Sequence, residues 1–205
     1  MSLYDVSLEA AVLFIVAATA LLGSPGPGIT ALVVAGRSMG LSGGLRLFCG
    51  MQLGLALAAA LCVAGLASLL LAVPAARLFL TAVSTVYLIW LAWRIASAPI
   101  GDGTIGSASD ARFTVGGGFL LGFANPKAFL AFLSLFASFV IVQNDPPADG
   151  LVKWVLCVAV MIVVDFGWLA LGAGLGRIRL GPRGERTMNW AMGLAVLSAA
   201  LLTLG

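Results

Sequence analysis

Two ionisable side chains interrupt apolar stretches, where they could bind a charged solute or carry a proton. Asp165 lies in the apolar run 155–168, and Lys127 follows an Asn-Pro pair. Even low estimates put such a residue at the centre of a bilayer at a cost of about 2.5–3.5 kcal/mol, so each is a functional candidate. Asp165 could receive an ammonium group or a coupling proton, and Lys127 could help to hold a carboxylate. A structural Lys127–Asp165 ion pair is the alternative interpretation.

Prolines interrupt two of the long apolar runs, at Ser24, Pro25, Gly26, Pro27 and Gly28 and again at Asn125, Pro126 and Lys127. A proline inside a helix removes a backbone hydrogen bond, and in lipid such a break persists only where it is buried in protein or lines a cavity. Ser24-Pro25 and Asn125-Pro126 are each typical of an N-cap followed by the first helical residue. Two helix N-termini would then face the centre and suit an anion. The alternative is that the prolines only kink two packed helices.

Two further polar residues are candidates for substrate binding. Gln52 could bond a substrate or bridge the helices, and Tyr87 could reach inward or lie at the membrane interface. The sequence has no histidine, which removes the commonest metal ligand and general base. Cys49, Cys62 and Cys157 lack paired spacing and are interpreted as core residues. We therefore predict no metal site, no cofactor and no enzymatic activity.

The composition determines which elements must position these residues. Of 205 residues, 61% are hydrophobic and 9% are charged, whereas a soluble domain has roughly 25% charged residues. This composition excludes a soluble globular protein and predicts an all-α integral membrane protein. Because a spanning helix needs about 20 residues, the apolar runs predict six segments, at about 6–35, 47–73, 78–97, 114–142, 152–176 and 187–204.

Basic residues between the segments predict the orientation. Arg77 and Lys153 fall on one side, and eight residues fall on the other: Arg37, Arg46, Arg94, Arg112, Arg177, Arg179, Arg183 and Arg186. The positive-inside rule makes the richer side cytoplasmic and places both termini outside a bacterial cytoplasmic membrane. Since the basic residues are scattered at segment ends, they do not form a nucleic-acid-binding face.

An internal repeat accompanies the two breaks. Leu21-Leu22-Gly23 with Pro27 recurs 99 residues later as Leu120-Leu121-Gly122 with Pro126. Because each half would contain three helices, the second would enter the membrane from the opposite face. The chain is thus predicted to be one transmembrane domain, 1–205, of two inverted three-helix repeats, about 1–98 and 110–205, with proline-broken first and fourth helices.

These motifs resemble the LysE/RhtB superfamily of bacterial amino-acid exporters. The matching pieces are the Gly-Ser-Pro-Gly-Pro run at 23–27, the loop 37–45, Tyr87-Leu88 and the run 118–128 with its Asn-Pro-Lys. The resemblance implies a six-helix inner-membrane translocator for amino acids or related metabolites, driven by the proton gradient. The chain departs from the family at Gly28, where asparagine is common, at Leu55 after Gly54, and at Ala137-Ser138 in place of Pro-Gln. These departures leave Asp165 as the main acidic candidate for proton coupling.

The predicted function is therefore a secondary exporter of amino-acid-like zwitterions that works by alternating access around the two breaks. A channel, an inorganic-ion exporter and a non-transporting membrane scaffold are the alternatives. The expected partners are a small-molecule substrate and membrane lipid, and the glycine-rich helices suit a homodimer interface as well as packing within one chain.

Overall fold

The computed structural model describes residues 5–65, 73–97, 113–178 and 181–201, and these residues are almost entirely helical. The helices are α1 (Leu8–Gly23), α2 (Pro27–Val63), α3 (Pro74–Ala96), α4 (Val115–Phe123), α5 (Pro126–Ser138), α6 (Pro146–Gly176) and α7 (Pro182–Leu201). Two short strands, β1 (Asp5–Val6) and β2 (Val142–Gln143), pair antiparallel. The prediction of an all-helical chain is confirmed apart from this strand pair.

Length and composition identify the helices that can span a bilayer. Pro27–Val63 and Pro146–Gly176 each qualify, and the pair Val115–Phe123 and Pro126–Ser138, bent by 52°, makes a third candidate span. Leu8–Gly23 is apolar but only 16 residues long. The described part of the chain therefore contains two or three candidate spans by this measure, and the count of six stays a prediction.

Helix α2 reverses direction at Gly40, whose φ of 68° interrupts the helical backbone. A Cβ built on Gly44 would lie 3.5 Å from the backbone nitrogen of Gly36, whereas eight residues of continuous helix extend about 12 Å. Residues 27–39 and 41–63 thus form the first and second arms of a helical hairpin. The predicted loop at 37–46 is wrong, because glycine alone makes the turn.

Three helices begin earlier than the hydrophobicity predicts. The segments expected at 78–97, 152–176 and 187–204 start at Pro74, Pro146 and Pro182 instead. A proline suits the first helical turn because its fixed φ is helical and its missing N–H has no helical partner there. Each of these first turns contains a charged residue, which conceals the start of the helix from a prediction based on hydrophobicity.

Glycines bring the helices of the bundle into backbone contact. A Cβ on Gly50 would overlap the carbonyl of Val115, and one on Gly118 would overlap the carbonyl of Leu47. The first arm of α2 meets α6 in the same way, since a Cβ on Gly172 would overlap the carbonyl of Val33. Close packing through glycine is therefore what holds the hairpin of α2 between α4 and α6.

A buried ion pair organises the end of the bundle that carries the strands. Asp149 and Lys153 are only 7% and 6% exposed, and their charged groups lie 2.6 Å apart. Asp149 Oδ1 accepts the backbone N–H groups of Ile141 and of the next residue at 2.6 and 2.9 Å. Lys153 Nζ donates to the carbonyls of Phe136 and Phe139 at 2.9 and 3.0 Å. The pair thereby joins the end of α5 to β2 and α6.

The same end also anchors the start of α1. The amide of Ser7 donates to the carbonyl of Ile141 at 2.9 Å, and the Ser7 side chain caps α1 by accepting from Ala10. Phe14 is fully buried and stacks on Phe136 with a centroid separation of 6.3 Å. Helix α1 is thus held beside α5, which brings the two breaks together.

Candidate functional site

The two proline breaks lie against one cavity. Its mouth and interior contain about 490 Å³ of space free of protein atoms. Six of the predicted site residues line it: Ser24, Gly26, Gly28, Asn125, Lys127 and Asp165. Its apolar walls include Leu55, one of the departures from the family, and residues that were not predicted as site residues, among them Ile29, Met51 and Met161. Among the residues that the structure describes, the cavity therefore combines one basic and one acidic side chain with mainly apolar walls.

Lys127 links the second break to the first. Its Nζ donates to the backbone carbonyl of Ser24 at 2.6 Å, to the Ser24 hydroxyl at 2.8 Å and to the carbonyl of Pro25 at 3.4 Å. An ammonium group has three N–H donors, and these three acceptors use all of them. The alternative interpretation, a direct ion pair with Asp165, is not observed, since the two side chains share the cavity without a charge contact within 4 Å.

Two further side-chain hydrogen bonds reach carbonyls that the first break releases. The indole N–H of Trp168 donates to the carbonyl of Gly23 at 3.3 Å, and the hydroxyl of Ser24 donates to that of Leu21 at 2.8 Å. Sequence reasoning missed Trp168, although it lies three residues after Asp165 and so on the same helix face. These bonds stabilise a helix end that lipid could not solvate.

Helix α2 begins two residues later than predicted. Ser24 is the C-cap of α1, with a ψ of 140°, because a residue that precedes proline avoids the helical region. Gly26 is the N-cap of α2 and Pro27 is its first residue, so Ser24-Pro25 is not the capping pair. Gly28, the second residue, lies beside Met51, whose sulfur would be 3.1 Å from a Cβ there.

The second break has the capping geometry that the sequence predicts. Asn125 is the N-cap of α5 and Pro126 is its first residue. The side-chain oxygen of Asn125 accepts the amides of Lys127 and Ala128 at 3.1 and 3.4 Å. This helix N-terminus is therefore closed by its own side chain.

Asp165 is held by Gln52 from the second arm of α2. The Gln52 Nε2 donates to Asp165 Oδ2 at 2.7 Å, and Asp165 is only 5% exposed. The other polar atom of Gln52, Oε1, is buried and has no hydrogen-bond partner within the described ranges. Gln52 thus bridges two helices and holds the acid, but it is not among the described residues that line the cavity.

The remaining predicted positions contribute less to the described geometry. Tyr87 lies on α3, but its side chain falls outside the described residues. Cys62 and Cys157 are buried as expected, whereas Cys49 is exposed. Among the described residues, no three His, Cys, Asp or Glu side chains are grouped so that they could hold a metal ion.

Comparison with known proteins identifies relatives over most of the chain. An uncharacterised membrane protein of Vibrio cholerae is 28% identical over 182 residues, which cover 87% of this chain and 88% of the relative. Cysteine/O-acetylserine efflux proteins of Salmonella typhi and Escherichia coli strain K12 are 31% and 29% identical over 142 and 141 residues. Those matches cover 69% of this chain and 68% of each relative. No solved structure matches the chain.

A family model described as LysE type translocator matches residues 19–205. The match includes both proline breaks, the hairpin of α2 and every described residue that lines the cavity. It also confirms the family resemblance that the two proline motifs indicate. The chain is therefore a membrane transporter rather than an enzyme, and it belongs to the LysE type translocator family.

Proposed function

We propose that this protein exports amino acids or similar small zwitterions across the bacterial cytoplasmic membrane by proton-coupled alternating access. The observation that carries the proposal is the cavity between the two breaks, which Lys127 and Asp165 line together. One positive and one negative side chain leave the cavity lining neutral overall, which suits a solute with both charges. The efflux proteins among the relatives support an amino-acid-like substrate.

The membrane arrangement we propose has six spans in two inverted repeats. The turn at Gly40 divides α2, so α1 with the first arm, the second arm and α3 would form the first half. Helices α4 with α5, α6 and α7 would form the second half. Broken helices near the midplane at corresponding positions of two halves are typical of alternating-access transporters. Both termini would lie outside, as the distribution of basic residues predicts.

Proton coupling is assigned to Asp165. It is the acidic residue that lines the cavity, and its burial makes the charge costly unless a cation or a proton accompanies it. A proton and a substrate ammonium would then compete for the same carboxylate, so that proton entry could drive substrate exit. A hard metal cation is a poorer occupant, because it prefers six or more oxygen ligands and the cavity offers one carboxylate.

The proposal is tested by efflux of radiolabelled amino acids from proteoliposomes, with and without an imposed pH gradient. We expect the gradient to accelerate the efflux of a small neutral amino acid, and Asp165→Asn to abolish this acceleration in protein that is still folded. Gradient-driven efflux that persists in Asp165→Asn would exclude this residue as the coupling site. Amino-acid flux that does not depend on the pH gradient would favour a channel. An absence of flux from folded protein would contradict the assignment as an exporter.

A further inference from the structure

The two helix N-termini at the breaks differ in a way that affects ligand binding. At α5, the side chain of Asn125 accepts the free amides of the first turn. At α2 the N-cap is Gly26, which has no side chain to do this. The first bonded amide of α2 is that of Thr30, which donates to the carbonyl of Gly26 at 2.9 Å. The amides of Gly28 and Ile29 therefore have no partner within the described chain.

These two amides belong to residues that the bundle encloses. Gly28 and Ile29 are both buried, and both line the cavity. A buried backbone N–H without a partner is rare in native proteins because it costs about as much as a lost hydrogen bond. A pair of them at a helix N-terminus, aided by the helix dipole, points to an anionic ligand.

The carboxylate of Asp165 lies in the same cavity, and its side chain is only 5% exposed. Its Oδ2 accepts from the Nε2 of Gln52, whereas its Oδ1 has no hydrogen-bond partner among the described residues. A buried carboxylate with a free oxygen suits a ligand that carries an ammonium group. Asp165, Gly28 and Ile29 line one cavity, so the acid and the free amides belong to one site.

Lys127 is not available to the ligand in this arrangement. Its three donors bind Ser24 and Pro25, and the amides at its own helix N-terminus are capped by Asn125. At the second break, the ammonium group and the first amides of the helix are therefore bound by the protein itself.

We propose that the substrate carboxylate binds the amides of Gly28 and Ile29, and that its ammonium binds Asp165. Lys127 and Asn125 hold the break and do not bind the substrate. This assignment rests on the proposed function, because it places a transported zwitterion in the cavity. It also predicts selectivity for neutral side chains, since Asp165 is the one carboxylate among the described residues of the lining and the ammonium of Lys127 disfavours a second cation.

The proposal can be tested by giving α2 an asparagine N-cap like that of α5. In Gly26→Asn, the new side chain can accept the amides of Gly28 and Ile29 and so compete with a carboxylate. Gly26→Ala is the matched control, because it adds the same Cβ, which would meet the flexible end of Lys127 at 3.2 Å, without an acceptor. Position 26 has extended backbone with a φ of −167°, which either residue can adopt.

The readout is the binding of radiolabelled L-cysteine, kept reduced, to protein in lipid nanodiscs. We expect Gly26→Asn to bind at least about tenfold more weakly than Gly26→Ala, because hydrogen bonds to a charged group are lost. Equal affinities in the two variants would overturn the carboxylate assignment.

If Gly26→Asn does not fold, the assignment is tested by competition with radiolabelled L-cysteine for the unmodified protein. L-cysteine methyl ester and N-acetyl-L-cysteine should each compete at least about tenfold less well than L-cysteine, and equal competition by either would overturn the assignment.

The same measurements separate this inference from the proposed function. Binding that depends on both charged groups, without flux in proteoliposomes, would contradict export and leave the site assignment in place. Flux with equal affinities in the two Gly26 variants would contradict the site assignment alone. An absence of binding by radiolabelled L-cysteine and by other radiolabelled neutral amino acids would contradict both.

Discussion

The ammonium of Lys127 donates to the backbone carbonyl of Ser24 at 2.6 Å, although the two residues are 103 positions apart in the chain. Each residue belongs to one of the two proline breaks, so this bond joins the halves of the chain at the cavity. In a protein that alternates between two conformations, such a bond would have to persist or exchange as the breaks move. Lys127 therefore gives one break a direct hydrogen-bonded link to the other.

Removal of this link should destabilise the protein without changing which solutes it recognises. In Lys127→Met the carbonyls of Ser24 and Pro25 lose their donor, and such groups cost about 1–3 kcal/mol each when left without a partner. We expect a lower thermal unfolding temperature in detergent, with a smaller decrease in Ser24→Ala, which keeps both carbonyl bonds. Residual binding should still favour L-cysteine over its methyl ester. Loss of that preference would show that Lys127 itself binds the carboxylate.

The ion pair of Asp149 and Lys153 gives a second prediction about stability. Lys153→Met leaves a buried carboxylate without its counter-charge, for which typical losses are about 3–5 kcal/mol. The double variant Asp149→Asn, Lys153→Met removes the charge and keeps an oxygen for the amides of Ile141 and Val142. We expect its thermal unfolding temperature to lie above that of Lys153→Met. A double variant that is less stable than Lys153→Met would show that charge on Asp149 is not the reason for the loss.

Close packing through glycine can be tested with two alanine substitutions. Gly50→Ala should strongly destabilise the protein, because its Cβ would overlap the carbonyl of Val115 and separate the second arm of α2 from α4. Gly116→Ala, one residue after Val115, meets nothing within 4 Å and should be neutral or slightly stabilising, since alanine favours a helix. The measurement is thermal unfolding of the purified variants. Equal effects at the two positions would contradict the packing described for these helices.

The sequence predicts the chemistry of the cavity better than the boundaries of its helices. Proline and buried charge carry a high cost in lipid, so their positions alone indicate the breaks, Lys127 and Asp165. By contrast, the turn at Gly40 leaves no polar loop, and the helices that begin at Pro74, Pro146 and Pro182 have first turns that are not apolar. Hydrophobicity therefore places all four boundaries incorrectly.

The partners of the charged groups could not be predicted either, because they depend on how each helix is rotated. Lys127 binds carbonyls of Ser24 and Pro25 rather than Asp165, and Asp165 is held by Gln52. Backbone carbonyls are present at every position, so no residue type marks those that a break releases. For example, the carbonyl of Gly23 can accept the indole N–H of Trp168 only because α1 ends at Gly23.

The orientation in the membrane gives the last prediction. Eight basic residues on one set of connections against two on the other place β2 outside and the start of α7 in the cytoplasm. In a variant with Cys49, Cys62 and Cys157 replaced by alanine, single cysteines at Gln143 and Arg183 report the two sides, since both positions are exposed. A membrane-impermeant maleimide should label Gln143→Cys in intact cells and Arg183→Cys only after permeabilisation. The reverse pattern would place both termini in the cytoplasm. Each half of the chain would then have the opposite orientation relative to the proton gradient.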